Sequence, residues 1–153
     1  KYKSSLQSEL VSLYNLDVSL PLKKNNKKSI NYLTPKLSLR FNPHDMKNYS
    51  SSARNIDAHN AFAINRLGLS DTFESGRSVT LGLDYSSEQK NDLNEINNYF
   101  ELKLATVFRD KEEIFVPNKS TINRKNSNLF GSISNRFSEN LKIGFRQCSR
   151  QGS

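Results

Sequence analysis

The 153-residue sequence has no tryptophan, one cysteine, one methionine, four prolines and six glycines. A single cysteine, Cys148, excludes a disulfide within these residues and any cysteine-rich metal site. There are two histidines, His44 and His59, too few and too far apart for a zinc centre, and each reads as a loop residue. Apolar residues make up only 35% of the chain, and mean hydropathy is −0.71. No apolar run approaches the ~18–20 residues of a transmembrane helix. A membrane β-barrel needs no such run, because its apolar residues alternate with polar ones. The catalytic signatures searched for are missing too. Gly68 and Gly76 make no phosphate loop, and no Gly-x-Ser-x-Gly elbow occurs. Asp71 and Glu74 lie in a Ser/Gly-rich stretch with no apolar surroundings to shift their pKa, so both read as solvated loop charges. Asp110–Glu113 reads the same way. No catalytic, cofactor-binding or metal site is assigned, no cofactor is expected, and the chain is read as not an enzyme.

The net charge of +8 and pI near 9.6 would suit nucleic acid. The positions argue otherwise. Lys23, Lys24, Lys27 and Lys28 cluster around Asn25-Asn26 in a connection, and the remaining cations are scattered among Asn and Ser. Solvated loops or a polar barrel interior fit better, with anionic lipid headgroups as a possible counterpart.

What is present is alternation with period two, which puts apolar residues on one face of a strand and polar residues on the other. The clearest run is Tyr14-Asn15-Leu16-Asp17-Val18-Ser19-Leu20-Pro21-Leu22. Six strands are expected: about Leu10–Leu22, Tyr32–Asn42, Ser78–Ser86, Asn98–Arg109, Leu129–Phe137, and a last one starting at Leu141. Pro35, unable to donate to a ladder, is expected near a strand start or bulge. Tyr14, Leu16, Val18, Leu20, Leu37, Leu39, Phe41, Val79, Leu81, Leu83, Phe100, Leu102 and Leu104 should share one lipid-facing surface. On that reading an arginine at Leu83 is costly and one at Thr80, on the polar face, is tolerated.

In an up-and-down barrel the connections alternate between the two ends. Reading Pro43–Arg77 as one excursion, with Ala61–Leu69 folding back rather than spanning, puts the short connections at Lys23–Ser29, Ser87–Asn94 and Ser138–Asn140 on one side. The long loops Pro43–Arg77 and Asp110–Ser127 then share the other. The long excursion is expected on the surface-exposed side as a solvated loop, with Ser51 reachable from outside and Gln89 not. The fold class is all-β: an antiparallel up-and-down meander forming part of a transmembrane β-barrel.

Two segments go beyond pattern. Tyr32-Leu33-Thr34-Pro35-Lys36-Leu37-Ser38-Leu39-Arg40-Phe41-Asn42-Pro43 resembles a strand motif of the LptD (OstA/Imp) family of lipopolysaccharide-assembly proteins. Asn65-Arg66-Leu67-Gly68-Leu69-Ser70-Asp71-Thr72-Phe73-Glu74-Ser75-Gly76, running into Arg77–Leu83, resembles that family's Asn-Arg-aromatic, Asp, Glu-Gly-Gly stretch and the strand after it. Leu67 stands for the aromatic, Ser75 for the first glycine and Leu81 for a tyrosine. The resemblance covers roughly Leu10 to Phe145. It implies residues 1–147 as a partial barrel domain and 148–153 as a non-strand tail. The chain, beginning at Lys1-Tyr2-Lys3, would be an internal piece of a longer protein, without its periplasmic jelly roll. The implied location is the outer membrane, and the implied role is inserting lipopolysaccharide into the outer leaflet. The implied partners are lipopolysaccharide, membrane lipid, an LptE-like plug lipoprotein and, through the N-terminal domain, a periplasmic LptA-like bridge; nucleic acid is not among them. On the polar faces, Lys36, Arg40, Lys103 and Arg109 would suit phosphorylated saccharide or pair with Glu101 and Asp84 as ordinary lumen charges. Another outer-membrane barrel (a receptor or autotransporter) and a soluble glycan-binding β-sandwich are the alternatives.

Overall fold

Period-two segments can bury their apolar side only against another layer or in lipid, and among the described residues they form one sheet with no second sheet against it. The computed structural model describes residues 11–91, 96–138 and 141–149. Its strands are β1 (Tyr14–Ser19), β2 (Leu22–Asn25), β3 (Ser29–Asn42), β4 (Gly76–Lys90), β5 (Ile96–Arg109), β6 (Leu129–Ser138) and β7 (Leu141–Ser149). All pairs are antiparallel, and β1 and β2 both pair with β3, so seven strands occupy six lanes in the order β1/β2-β3-β4-β5-β6-β7. The sheet is an open meander with β1/β2 at one edge and β7 at the other.

Two prolines explain the broken edge. Pro35 lies well inside β3, neither near its start nor at a register shift, the two places the sequence suggested. Its carbonyl accepts Leu20 N–H (3.1 Å), so its missing N–H also faces the β1/β2 lane. There the lane is interrupted at Leu20-Pro21, and the prolines fall where the ladder is already broken at a sheet edge.

The strand ends differ from expectation at both edges and in the middle: the first strand splits and runs on to Asn25, and β3 begins at Ser29 rather than Tyr32, so the expected Lys23–Ser29 connection shrinks to 26–28. β4 runs on to Lys90, pairing Gln89 with Ser29, before a register shift. β7 continues through Cys148 and Ser149, which pair with Phe130 and Leu129, beyond the strand end read from the sequence. The start of the first strand at Leu10, residues 92–94 of the expected Ser87–Asn94 turn and the Glu139-Asn140 turn lie outside the described residues, whereas residues 87–90 of that expected turn are strand.

Register puts the expected apolar residues on one face. Row by row across the sheet, Tyr14, Phe41 and Arg77 are partners, then Leu16, Leu39, Val79 and Phe108, then Val18, Leu37, Leu81 and Thr106. Below them come Pro35, Leu83, Leu104 and Gly131, then Leu33, Tyr85, Leu102, Ile133 and Phe145. Many of these side chains are exposed, Leu16 at 58% and Phe145 at 60%. Aromatic pairs close the band at both ends: Tyr14 stacks on Phe41 (6.1 Å) and Tyr85 meets Phe100 (6.1 Å). From Leu33 to Phe41, a rise of ~3.4 Å per residue covers about 27 Å of strand. At a tilt of ~40° that spans roughly 20 Å of membrane, close to the ~25 Å apolar band of outer-membrane barrels.

The core sits on the opposite, nominally polar face. Two long connections, 43–75 and 110–128, leave the same end of the sheet, as the parity of the turns required. Both then fold back over this face. Met46, Ile56, Ala58, Ala61, Leu67 and Leu69 from the first pack with Val116 and Ile122 from the second and with Ala105, Val107 and Phe130 of the sheet. Tyr49 N–H to Phe115 O (2.9 Å) and Asn118 N–H to Ser50 O (3.1 Å) join the two. The second carries a short 3-10 turn, Asn118–Ser120, and its Ser127 extends the β5 ladder through Val107. The solvated-loop expectation for the first segment is therefore corrected, and the second also buries apolar residues against the inward face, beyond its exposed start at Asp110–Glu112.

Candidate functional site

The inward face at the long-loop end is organised by the segment that carried the second motif. Asn65 begins a tight turn: its side chain accepts Leu69 N–H (2.9 Å) and donates to Leu69 O (2.6 Å). Gly68 takes φ +61° there, a conformation that costs an L side chain, and Arg54 closes on its carbonyl. The turn delivers Arg66 and Glu74 to the same buried point.

Glu74 is 5% exposed and lies among three guanidiniums. Arg66 makes a two-pronged contact, Nε to Oε2 (2.7 Å) and Nη2 to Oε1 (2.5 Å). Arg109, from the end of β5, also bonds Glu74 Oε1, and Arg40, from β3, places Nη1 3.7 Å from Oε2. The remaining donors of Arg66 reach Thr80 Oγ1 (2.9 Å), Ser78 Oγ (3.0 Å) and Ala61 O. Arg40 also donates to Ala63 O (2.6 Å) and Arg109 to Ser75 O. Asn42, at the end of β3, donates to Glu74 O (3.1 Å). One carboxylate thus ties β3, β4, β5 and the excursion together. Burial pushes the Glu74 carboxyl up, but the charges and hydrogen bonds of Arg66, with Arg109 and Arg40 behind them, outweigh it and hold the pKa down at about 2. The expectation that Glu74 is a solvated loop charge is overturned by this burial.

Further towards the short-turn end, Phe62 presses against the sheet at Gly82. A Cβ on Gly82 would lie 2.5 Å from the Phe62 ring, so only glycine admits this contact. Lys36 Nζ lies over the same ring, 5.5 Å from its centroid. Lys36 pairs with Asp84 (2.5 Å) and Lys103 with Glu101 (2.9 Å), all partly exposed, so these two cations are the ordinary lumen charges expected. Arg40 and Arg109 are not: their side chains are 4% and 1% exposed and belong to the Glu74 cluster. Thr80, expected to tolerate an arginine, is 1% exposed beneath Arg66.

The other residues singled out do not join this cluster. Asp71 is exposed and accepts from Lys47 Nζ (2.8 Å) and Tyr49 OH (2.5 Å); those hydrogen bonds hold its carboxyl below the ordinary value. His44 Nε2 lies 3.1 Å from Ser12 Oγ. His59, exposed on the inward side, reaches Ser132 Oγ (3.1 Å). Asp110, Lys111 and Glu112 are exposed, as expected of that loop. Gly76 takes φ +80° beside Arg109. Sequence reasoning missed the convergence on Glu74. Arg66 and Glu74, eight residues apart inside one motif, were its visible trace.

The geometry is that of a wall with an apolar outer surface and an inner surface closed at one end by its own connections. No curated protein and no solved structure matches the chain. The model of the family described as "LptD: LPS transport system D" matches residues 2–146. With nearly the whole chain matched and an all-β antiparallel meander of the kind that family's barrel requires, the chain belongs to the LptD family of lipopolysaccharide transport proteins.

Proposed function

We propose that this chain forms part of the wall of an outer-membrane barrel that inserts lipopolysaccharide into the outer leaflet. The observation that carries the reading is the two-sidedness of a single sheet. Its outward rows are apolar and bounded by aromatic pairs, and its inward face is polar, charged and covered at one end by two connections. A wall of this kind satisfies its backbone inside hydrocarbon while offering a hydrophilic interior to a sugar-bearing lipid. The long-loop end faces the cell exterior, so the excursion caps the lumen where lipid leaves. Towards the other end, the partly exposed Lys36–Asp84 and Lys103–Glu101 pairs offer a polar surface to an LptE-like plug lipoprotein. Lipopolysaccharide arrives from a periplasmic LptA-like bridge through an N-terminal domain of the longer protein. In cells depleted of the full-length protein, newly made lipopolysaccharide should stop reaching the surface, measured by labelling intact cells. Continued delivery at the undepleted rate would refute the role. An epitope tag at Ser51 should be reached on intact cells and one after Asn91 should not; the opposite result would invert the topology.

A further inference from the structure

The outward face carries one feature that a smooth barrel wall does not need: a groove of about 1010 Å³ across the long-loop ends of β1, β3, β4 and β5. Its walls are Leu16, Leu39, Val79 and Phe108, which form one row of the register, with the Tyr14–Phe41 stack at the mouth. The alternate residues on the same stretches, Arg40, Ser78 and Arg109, are buried on the other face, so the groove opens outward. Its volume is at the top of the range for small-molecule sites, and its lining suits alkyl chain.

At the mouth stands Arg77. It is exposed, in the row of Tyr14 and Phe41, with its guanidinium 5.3 Å from the Phe41 ring centroid. Stacking leaves the edge of the guanidinium fork free, and among the described residues no carboxylate forms an ion pair with it. Asp110 borders the groove on the loop side, but its carboxylate accepts the N–H of Lys111. Behind the wall, Arg40, Arg66 and Arg109 face the single carboxylate of Glu74, which adds positive potential at the same level.

We propose that this groove binds one lipopolysaccharide molecule of the outer leaflet, with an acyl chain along the Leu16–Phe108 row and a phosphate on Arg77. A guanidinium recognises phosphate through two parallel hydrogen bonds, and Arg77 sits at the boundary where aromatic rows mark the headgroup level. The proposal rests on the reading of this face as lipid-facing. It adds to it a specific lipid held on the outside of the wall, next to the end where the lumen is capped.

The test uses the full-length protein in its native membrane, with a photo-crosslinking amino acid at Val79 in the groove, at Ile133 on the same face outside it, or at Ser86 on the inward face. Captured lipopolysaccharide is read by immunoblot and captured phospholipid by mass spectrometry. Val79 should capture lipopolysaccharide several-fold more than Ile133. Arg77→Gln and Arg77→Glu should lower the Val79 signal to the Ile133 level, and Arg77→Lys should keep part of it. Equal lipopolysaccharide capture at Val79 and Ile133, capture of phospholipid alone at Val79, or no response to the Arg77 variants overturns the site and leaves the wall intact. Lipid captured at Ser86 but at neither outward position overturns the wall and the site together.

Discussion

Replacing Glu74 by glutamine tests whether the inward-folded excursion is held by charge. The side chain keeps its shape, but an amide has one acceptor oxygen where the carboxylate has two. Glu74 Oε1 accepts from Arg66 and Arg109, and Oε2 from Arg66 Nε. Either orientation of the amide therefore points an NH₂ at an arginine N–H. Three buried guanidiniums are left without their counter-charge, the situation in which removing one partner costs about 3–5 kcal/mol. At ~1.4 kcal/mol per decade this raises the population with the excursion detached by roughly 100-fold to several thousand-fold. Limited proteolysis of the purified full-length protein reads that population when opening and closing are fast relative to cleavage. Cleavage within 43–75 should accelerate strongly in Glu74→Gln. Asp71→Asn, which removes an exposed carboxylate from the same segment, should leave the rate nearly unchanged. Equal rates in the parent and Glu74→Gln would refute the latch.

Acid should loosen the same contact. The Glu74 carboxyl is held at about 2 against an ordinary 4.5, so its contribution is complete above about pH 4.5 and is lost as pH falls through about 2. Protease resistance of the excursion should fall over that window, and Glu74→Gln should abolish this part of the pH dependence. Gly82→Ala forces the Phe62 ring off the sheet, at a cost of roughly 1–3 kcal/mol of unfolding free energy, read as a lower denaturation midpoint. The double variant with Phe62→Ala should lose less than the two single changes summed. On the outer face, Leu83→Arg should lower assembled barrel by an amount consistent with roughly 2–4 kcal/mol at mid-membrane. Thr34→Arg, inward and opposite Asp84, should assemble nearly as well as the parent, whereas Thr80→Arg should fail beneath Arg66. Immunoblots of heat-modifiable barrel would check all three.

The sheet was legible because a strand's period is exact. Each of Leu37, Leu39 and Phe41 faces outward once any one of them does, and turn parity then puts both long connections at one end. What was not legible is where those connections go. Ser, Asn, Gly and mixed charges in 43–75 read as solvent, because composition does not say which charges meet. Arg40, Arg66 and Arg109 come from separate places in the chain, and only the folded register brings them to Glu74. Glycine at 82 fits any strand interior poorly, and its purpose shows only once Phe62 lies on it. Pro35 was placed near a strand start or bulge by a rule for ladders; the break at Leu20-Pro21 that accommodates it belongs to the neighbouring lane.

The central claim is that one face of this sheet meets lipid and the other a capped, aqueous interior. Nitroxide labels placed singly at residues 79, 81, 83, 84, 85 and 86 of β4, in the full-length protein reconstituted in bilayers, test it most directly. Accessibility to oxygen should peak at 79, 81, 83 and 85, and accessibility to a polar nickel complex should be low at those positions and higher at 84 and 86. Loss of the alternation, or oxygen maxima at the even positions, would contradict the account.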